Sequence, residues 1–300
     1  MPPNPLPAAA RGFSVTDLNK NDGRDLSQLP PLRDVIAKHD LAAKKAFGQH
    51  FLLDLNVTRR IVREAGDFNS LNVVEVGPGP GGLTRALVES AADQVLAVER
   101  DPRFAAALAD VIAASAGRLR LVEADALTVD PVDLVPTPRA VVSNLPYNVG
   151  TPLLIGWLKR ISEYRFLALM FQKEVADRIV ARPRTGAYGR LAVMSQWLAD
   201  CRIIMDLPAR AFTPPPKIDS AVVRLVPRVR PDDDPDFATM ETLVAAAFGQ
   251  RRKMLRVGLK SLIREPEPLL MSVGIAPTAR AEEIDIDGFV ALAKAWHASC

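Results

Sequence analysis

The chain has 300 residues, 48% hydrophobic and 24% charged, the balance of a globular protein with material for one large domain or two smaller ones. That excludes a mainly disordered polymer. No run approaches the ~18 uncharged apolar residues of a membrane helix, and a net charge of +3 says little by itself about nucleic acid. The only cysteines, Cys201 and Cys300, are far apart, and His39, His50 and His297 are scattered. A disulfide framework is therefore excluded, no metal site is expected, and a reducing, cytoplasmic location fits.

Residues 1–30 open with MPPNPLPAAARG and read as a flexible tail. The start lacks the basic and apolar regions of a secretory signal, and Asp17, Asp22 and Asp25 argue against a transit peptide. Next, NVTRRIVREAG reads as an amphipathic helix. Strand-like runs then alternate with helical patterns: strands at 72–77, 94–100, 119–125, 140–146 and 166–172, helices at 81–91, 102–114 and around 153–159. Such βαβ units predict an α/β fold, a Rossmann-like and mostly parallel sheet. CRIIMDLP and SAVVRLVP (220–227) follow as two strands that predict an antiparallel hairpin at one edge. RVRPDDDPDF (228–237) reads as a linker. Beyond it the pattern is helical, with METLVAAAFGQRRKMLRVGLKSLI as one stretch, PLLMSV and DGFVALAKAWHA following. The expected organisation is a tail (1–30), a catalytic domain (31–228) and a small all-helical C-terminal domain (229–300).

The sharpest motif is VVEVGPGPGG (73–82), with Gly77, Gly79 and Gly82 in G-x-G-x-x-G spacing between a strand and a helix. Glu99, at the end of the second strand, can accept hydrogen bonds from ribose hydroxyls. A tight turn with a capping role is the plain alternative. Pro78 and Pro80 lack N–H donors, a poor choice for cradling a pyrophosphate, so S-adenosylmethionine (SAM) is favoured over a dinucleotide. Asp125, ending the third strand, can reach an adenine amino group, or serve as a helix cap.

Asn144-Leu145-Pro146-Tyr147 ends the fourth strand, on the edge where α/β sheets place ligands. N6-methylation of adenine needs two acceptors that hold a poorly nucleophilic amine. Asn144 offers a side-chain oxygen, the carbonyl beside Pro146 a backbone one, and Tyr147 a face for stacking. No general-base His or Cys is required. FTPPPK (212–217) predicts a rigid extended loop. Phe212 is expected there as an exposed clamp on the other face of an extruded base, with burial in the core as the alternative.

These residues resemble the rRNA adenine N6-dimethyltransferases. The likeness runs from about Lys44 to Arg264 through KKAFGQHFLLD, VVEVGPGPGGLT, LAVERD, EADAL, VVSNLPYNVGTPLL, FQKEVADRIVARPRTGAYGRLAVMSQ, AFTPPPKIDSAVVRL and FGQRRKMLR. FTPPPKIDSAVVRL together with AYGRLAVM points to the 16S-directed bacterial branch, linked to kasugamycin sensitivity, rather than the macrolide-resistance branch acting on 23S rRNA. The resemblance implies dimethylation of two adjacent adenines near the 3′ end of 16S rRNA, in the small ribosomal subunit or its late assembly precursor, by a monomer. It also implies that His50 and Leu52 line the SAM pocket, Gly77 approaches the methionine part, Glu99 the ribose, Asp125 the adenine, and Asn144 both cofactor and target. His50 stands where the family often has Asn.

Arg251, Arg252, Lys253, Arg256, Lys260 and Arg264 carry six positive charges in fourteen residues without an acid. Spacing places Lys253, Arg256, Lys260 and Arg264 near one helical face, which suggests phosphate contact, and Lys217 sits on the proline loop. Lys44, Lys45, Arg59, Arg60 and Arg63 form a candidate second patch. Competing readings are a 23S rRNA or DNA adenine N6-methyltransferase, a small-subunit assembly factor in which RNA binding dominates, and an NAD-dependent oxidoreductase. The last leaves NLPY and FTPPPK unexplained.

Overall fold

A computed structural model describes residues 25–41 and 50–299. Most of the expected tail, together with Lys44 and Lys45 of the second basic patch, lies outside the described residues. Seven strands form the main sheet: β1 Asn72–Val76, β2 Gln94–Glu99, β3 Leu119–Glu123, β4 Arg139–Asn144, β5 Phe166–Gln172, β6 Ala199–Leu207 and β7 Ser220–Pro227. Their order is β3-β2-β1-β4-β5-β7-β6. The first five are parallel, while β7 runs antiparallel between β5 and β6. The expected edge hairpin is therefore present, with its second strand on the inside.

Near-continuous apolar runs form the central strands because both faces are covered. On one face α2 (Leu55–Ala65) and α3 (Gly82–Glu89) bury Ile61, Ala65, Leu83 and Leu87 against Val73, Ala97 and Val142. On the other, α7 (Gly150–Leu158) and α9 (Arg190–Leu198) bury Leu154, Trp157 and Val193 against Val74, Val141, Leu169 and Val223. Each valine, leucine or isoleucine among them contributes about 1.5–3 kcal/mol through removal from water. The helical pattern at 102–114 is interrupted at Leu108, between helices Pro102–Ala107 and Ala109–Ala114.

The C-terminal helices extend this second core. Helices Phe237–Gly249 and Ile286–His297 add Met240, Leu243, Val244, Phe289 and Leu292 to the cluster that holds Val193 and Trp197. The buried Tyr188 hydroxyl donates to the Ile284 carbonyl at 2.8 Å. The aspartate-rich connection is pinned: Asp234 accepts from Trp197 at 3.1 Å and Arg230 at 2.9 Å. Asp236 caps the helix that follows. No helix of the described residues is long and apolar enough to cross a membrane.

The long C-terminal helix expected through residue 263 is corrected. It ends at Gly249, and the chain turns before a short helix at Leu255–Gly258 and a 3-10 turn at Leu259–Ser261. Two contacts distant in sequence pull it out of the helical path: Met254 bridges to Arg280, and the Leu255 N–H donates to the Ala279 carbonyl at 2.6 Å. Lys253, Arg256, Lys260 and Arg264 consequently do not share one helix face.

Candidate active site

The chain order reverses direction beside β1, where β2 and β3 lie to one side and β4 to the other. Such a switch point opens a crevice at the strands' C-terminal ends. The glycine loop leaves β1 there. Gly77, Gly79 and Gly81 have φ of 67°, 54° and 90°, left-handed values that a side chain disfavours. At Gly82 a Cβ would stand 2.4 Å from the Leu52 carbonyl oxygen, so only glycine lets the N-terminal segment pass this close. The ribbon pairing Phe51–Leu52 with Phe212–Thr213 fixes that segment.

The loop's own N–H groups are spent inside the protein. Gly77 donates to the Val98 carbonyl at 2.9 Å and Gly81 to that of Pro78 at 3.0 Å, while Gly79 donates to the Glu99 carboxylate. Pro78 and Pro80 have none. Residues 77–81 themselves therefore offer little to a pyrophosphate, in line with the sequence preference for SAM.

Glu99 is buried, and one of its oxygens also accepts from the Arg100 and Asp101 N–H groups, both at 2.8 Å. Burial raises its pKa, and these backbone donors oppose the rise. Beside it lies Glu75, a residue that pattern reading passed over as one more member of a buried strand. It is 1% exposed, and burial pushes its carboxyl up to about 8, with the Glu99 charge adding to the effect and Thr84 opposing it. Its Oε2 completes no hydrogen bond. An acidic residue inside the apolar run VVEV was the available signal.

Asn144 sits at the tip of β4. The Ser143 hydroxyl donates to the Val76 carbonyl at 2.5 Å and locks that tip against the end of β1. The Asn144 Nδ2 donates to the His50 carbonyl at 3.1 Å. This bond assigns the amide's orientation and leaves Oδ1 as a free acceptor. Pro146's own carbonyl accepts from Val149 and Gly150, starting α7. Among the described residues no donor reaches the Leu145 carbonyl, the one preceding Pro146. The Tyr147 hydroxyl shares a 2.7 Å hydrogen bond with Ser220, and its ring lies 5.4 Å from that of His50, inclined by 30°. Burial raises the Tyr147 pKa, opposed by Ser220. His50 Nδ1 is 2.8 Å from the Pro214 carbonyl, an acceptor only, so Nδ1 carries the proton.

The crevice is thus lined by His50, Leu52, Glu75, Gly77, Gly79, Glu99, Asn144, Pro146 and Tyr147, and its enclosed part of about 90 Å³ opens to solvent. Two expected site residues lie elsewhere. Phe212 is a correction: it is 3% exposed and packed in the core cluster of α2 and α3, absent from the crevice wall. Its pairing with Leu52 across the ribbon turns the side chain inward. Asp125 does not line the crevice either. Its Oδ1 accepts from Leu127 at 3.0 Å and its Oδ2 pairs with Arg100 at 3.0 Å, a turn-capping arrangement.

Among the basic residues, Arg251 is drawn into the protein. Its Nε donates to Glu282 at 2.9 Å and its Nη2 to the Gly186 carbonyl at 2.8 Å, tying the helical unit to the loop before α9. Arg252, Lys253, Lys260, Arg264 and Lys217 are exposed, and Arg256 stands 4.0 Å from Glu267. In the second patch, Arg59 is held by both oxygens of Glu89.

The strand order, the glycine loop and the acidic residue at the end of β2 define a Rossmann-like SAM-dependent methyltransferase. The sequence pattern of one family, described as ribosomal RNA adenine dimethylase, matches residues 41–297, and the chain belongs to that family. The chain is 55% identical over 273 residues to the ribosomal RNA small subunit methyltransferase A of Paramagnetospirillum magneticum, covering 91% of this chain and 97% of that protein. It is 56% identical over 269 residues to the protein of the same name from Paracoccus denitrificans, covering 89% and 95%. Among solved structures, the 23S rRNA methyltransferase ErmE superposes with a TM-score of 0.63 at 30% identity, covering 82% of this chain and 99% of that one. A dimethyladenosine transferase from Plasmodium falciparum superposes with a TM-score of 0.70 at 22% identity, covering 81% and 96%, a likeness of fold.

Proposed function

We propose that the protein dimethylates N6 of two adjacent adenines near the 3′ end of 16S rRNA, in the small ribosomal subunit or a late precursor, acting as a cytoplasmic monomer. The names of its relatives and the 16S-branch motifs AYGRLAVM and FTPPPKIDSAVVRL support this target. One observation carries the chemistry: Asn144 spends its amide nitrogen on the His50 carbonyl, so its oxygen is the group left for the target amine.

SAM, when bound, supplies an electrophilic methyl group. Gly77, Gly79, His50 and Leu52 would border it, and Glu99 would take the ribose. The unpartnered Glu75 Oε2 is a buried acceptor suited to the methionine ammonium. In the first transfer Asn144 Oδ1 and the Leu145 carbonyl each accept one N–H of the adenine amine; in the second, the monomethylated amine has a single N–H left for them. Holding both protons this way directs the nitrogen lone pair out of the ring's conjugation. Tyr147, braced by Ser220, supports the extruded base from one side. With Phe212 buried, the His50 ring beside Tyr147 is the aromatic group next to that surface. Positioning of this kind contributes roughly 7–11 kcal/mol to lowering the barrier. Arg252, Lys253, Arg256 and Lys217 would contact phosphates, with the C-terminal helical unit as the RNA-binding domain and Arg251 as its internal brace.

The test is methyl transfer from labelled SAM to undermethylated small subunits, with large subunits and naked rRNA as controls. Label confined to a 3′ fragment of 16S rRNA, recovered as N6,N6-dimethyladenosine, is expected. Label confined to 23S rRNA contradicts the assignment.

A further inference from the structure

We infer that Arg165, Arg202 and Arg224 form a second phosphate-binding surface, at the end of the sheet remote from the methyl-transfer crevice, which holds the sugar–phosphate backbone of the RNA substrate outside its target loop. This rests on the reading that the substrate is rRNA.

Arg202 and Arg224 are direct partners in the antiparallel pairing of β6 with β7. Their side chains leave the same face of the sheet side by side. Like charges directly opposite one another destabilise a ladder. Arg165, immediately before β5, joins them: it and Arg202 both bear on the Arg224 guanidinium, which burial first, and these two charges after it, push below its ordinary pKa. A patch that served only as solvated surface would mix signs. Here none of the three arginines makes an ion pair with a carboxylate among the described residues. The flanking Asp200, two residues before Arg202, turns instead to Arg228 at 3.5 Å.

Arg224 is also held in place. Its Nε donates to the Ala65 carbonyl at the end of α2 at 2.6 Å, and its guanidinium lies 5.1 Å from the centre of the Phe166 ring. Such anchoring lowers the entropy lost when a ligand is bound. Arg165 and Arg202 are exposed beside it. A fixed guanidinium between two free ones suits a row of phosphates better than a single carboxylate.

The location separates this surface from the catalytic one. Ser220, which braces Tyr147, pairs with Gln172, whereas Arg224 pairs with Ala168, four residues along the same ladder. That is roughly 13 Å of strand. A flipped adenine occupies the crevice end, and flanking RNA reaches the arginine end. The cost of the like-charge pairing is offset when counterions leave the RNA.

The decisive comparison uses the full-length protein, the charge reversal Arg165→Glu/Arg202→Glu, and the conservative pair Arg165→Lys/Arg202→Lys. Both positions are exposed, and Arg224 with its packing role is left intact. Small subunits, large subunits and naked rRNA are first offered to the unaltered protein. Its preferred substrate is then used for binding measurements across a salt series, so a wrong target assignment shows up before the surface is judged. The charge reversal is expected to weaken binding at least about tenfold near 0.1 M salt. It should lower the slope of log affinity against log salt by about 2, since each phosphate contact contributes just under 1. The lysine pair should keep most of the slope, and SAM affinity should not change in either variant. Equal affinity and equal slope for the charge reversal and the unaltered protein would overturn the inference.

Discussion

Replacing Glu75 by Gln tests the electrostatics of the crevice in the absence of any ligand. The carboxyl is fully enclosed, with a carboxylate neighbour in Glu99 and one oxygen without a partner, and its pKa rises from 4.5 to about 8. The folded state therefore holds a proton there that the unfolded chain gives up near pH 4.5. Stability from this group is complete below that value and is lost as the pH climbs through about 8. Between pH 5 and pH 9 the loss comes to about 4 kcal/mol, from the difference between the two protonation equilibria. Glutamine keeps the shape and cannot ionise. Urea melts of both proteins across this range should show Glu75→Gln gaining about 4 kcal/mol relative to the unaltered protein by pH 9. Parallel stability curves for the two would refute the enclosed, protonated carboxyl.

Two further substitutions probe the walls of the site. Gly82→Ala should displace the Phe51–Leu52 segment, because its Cβ would stand 2.4 Å from the Leu52 carbonyl. A stability loss of about 1–3 kcal/mol, seen in chemical denaturation, and weaker SAM binding by calorimetry are expected. Phe212→Ala should cost about 3–5 kcal/mol of stability by leaving a cavity in the core. Unchanged stability with lost methyl transfer would restore Phe212 to the stacking role.

The middle of the sheet was legible because burial on both faces writes its strands as apolar runs, as in AVV of β4 and FLALMF of β5. Helix α9 was not, since it is buried on nearly every side between the sheet and the C-terminal helices and so shows little periodicity. Helix Lys173–Ile179 was missed for the opposite reason, being short and rich in charge. The glycine loop, Glu99 and Asn144 could be read because each acts from a fixed offset to its own strand. Phe212 could not. Its burial depends on pairing with Leu52, a partner 160 residues earlier in the chain. The break after Gly249 and the inward role of Arg251 likewise depend on residues near 280, and local spacing carries no trace of them.

The central claim is that the Asn144 oxygen holds the target amine while the rest of the crevice holds the methyl donor. Asn144→Ala leaves the glycine loop, Glu99 and Glu75 in place. Measured in one preparation, SAM affinity by calorimetry should stay within a few-fold, while the single-turnover rate of methyl transfer to RNA falls by at least about 100-fold. A variant that binds SAM and transfers methyl groups at the unaltered rate would contradict the account.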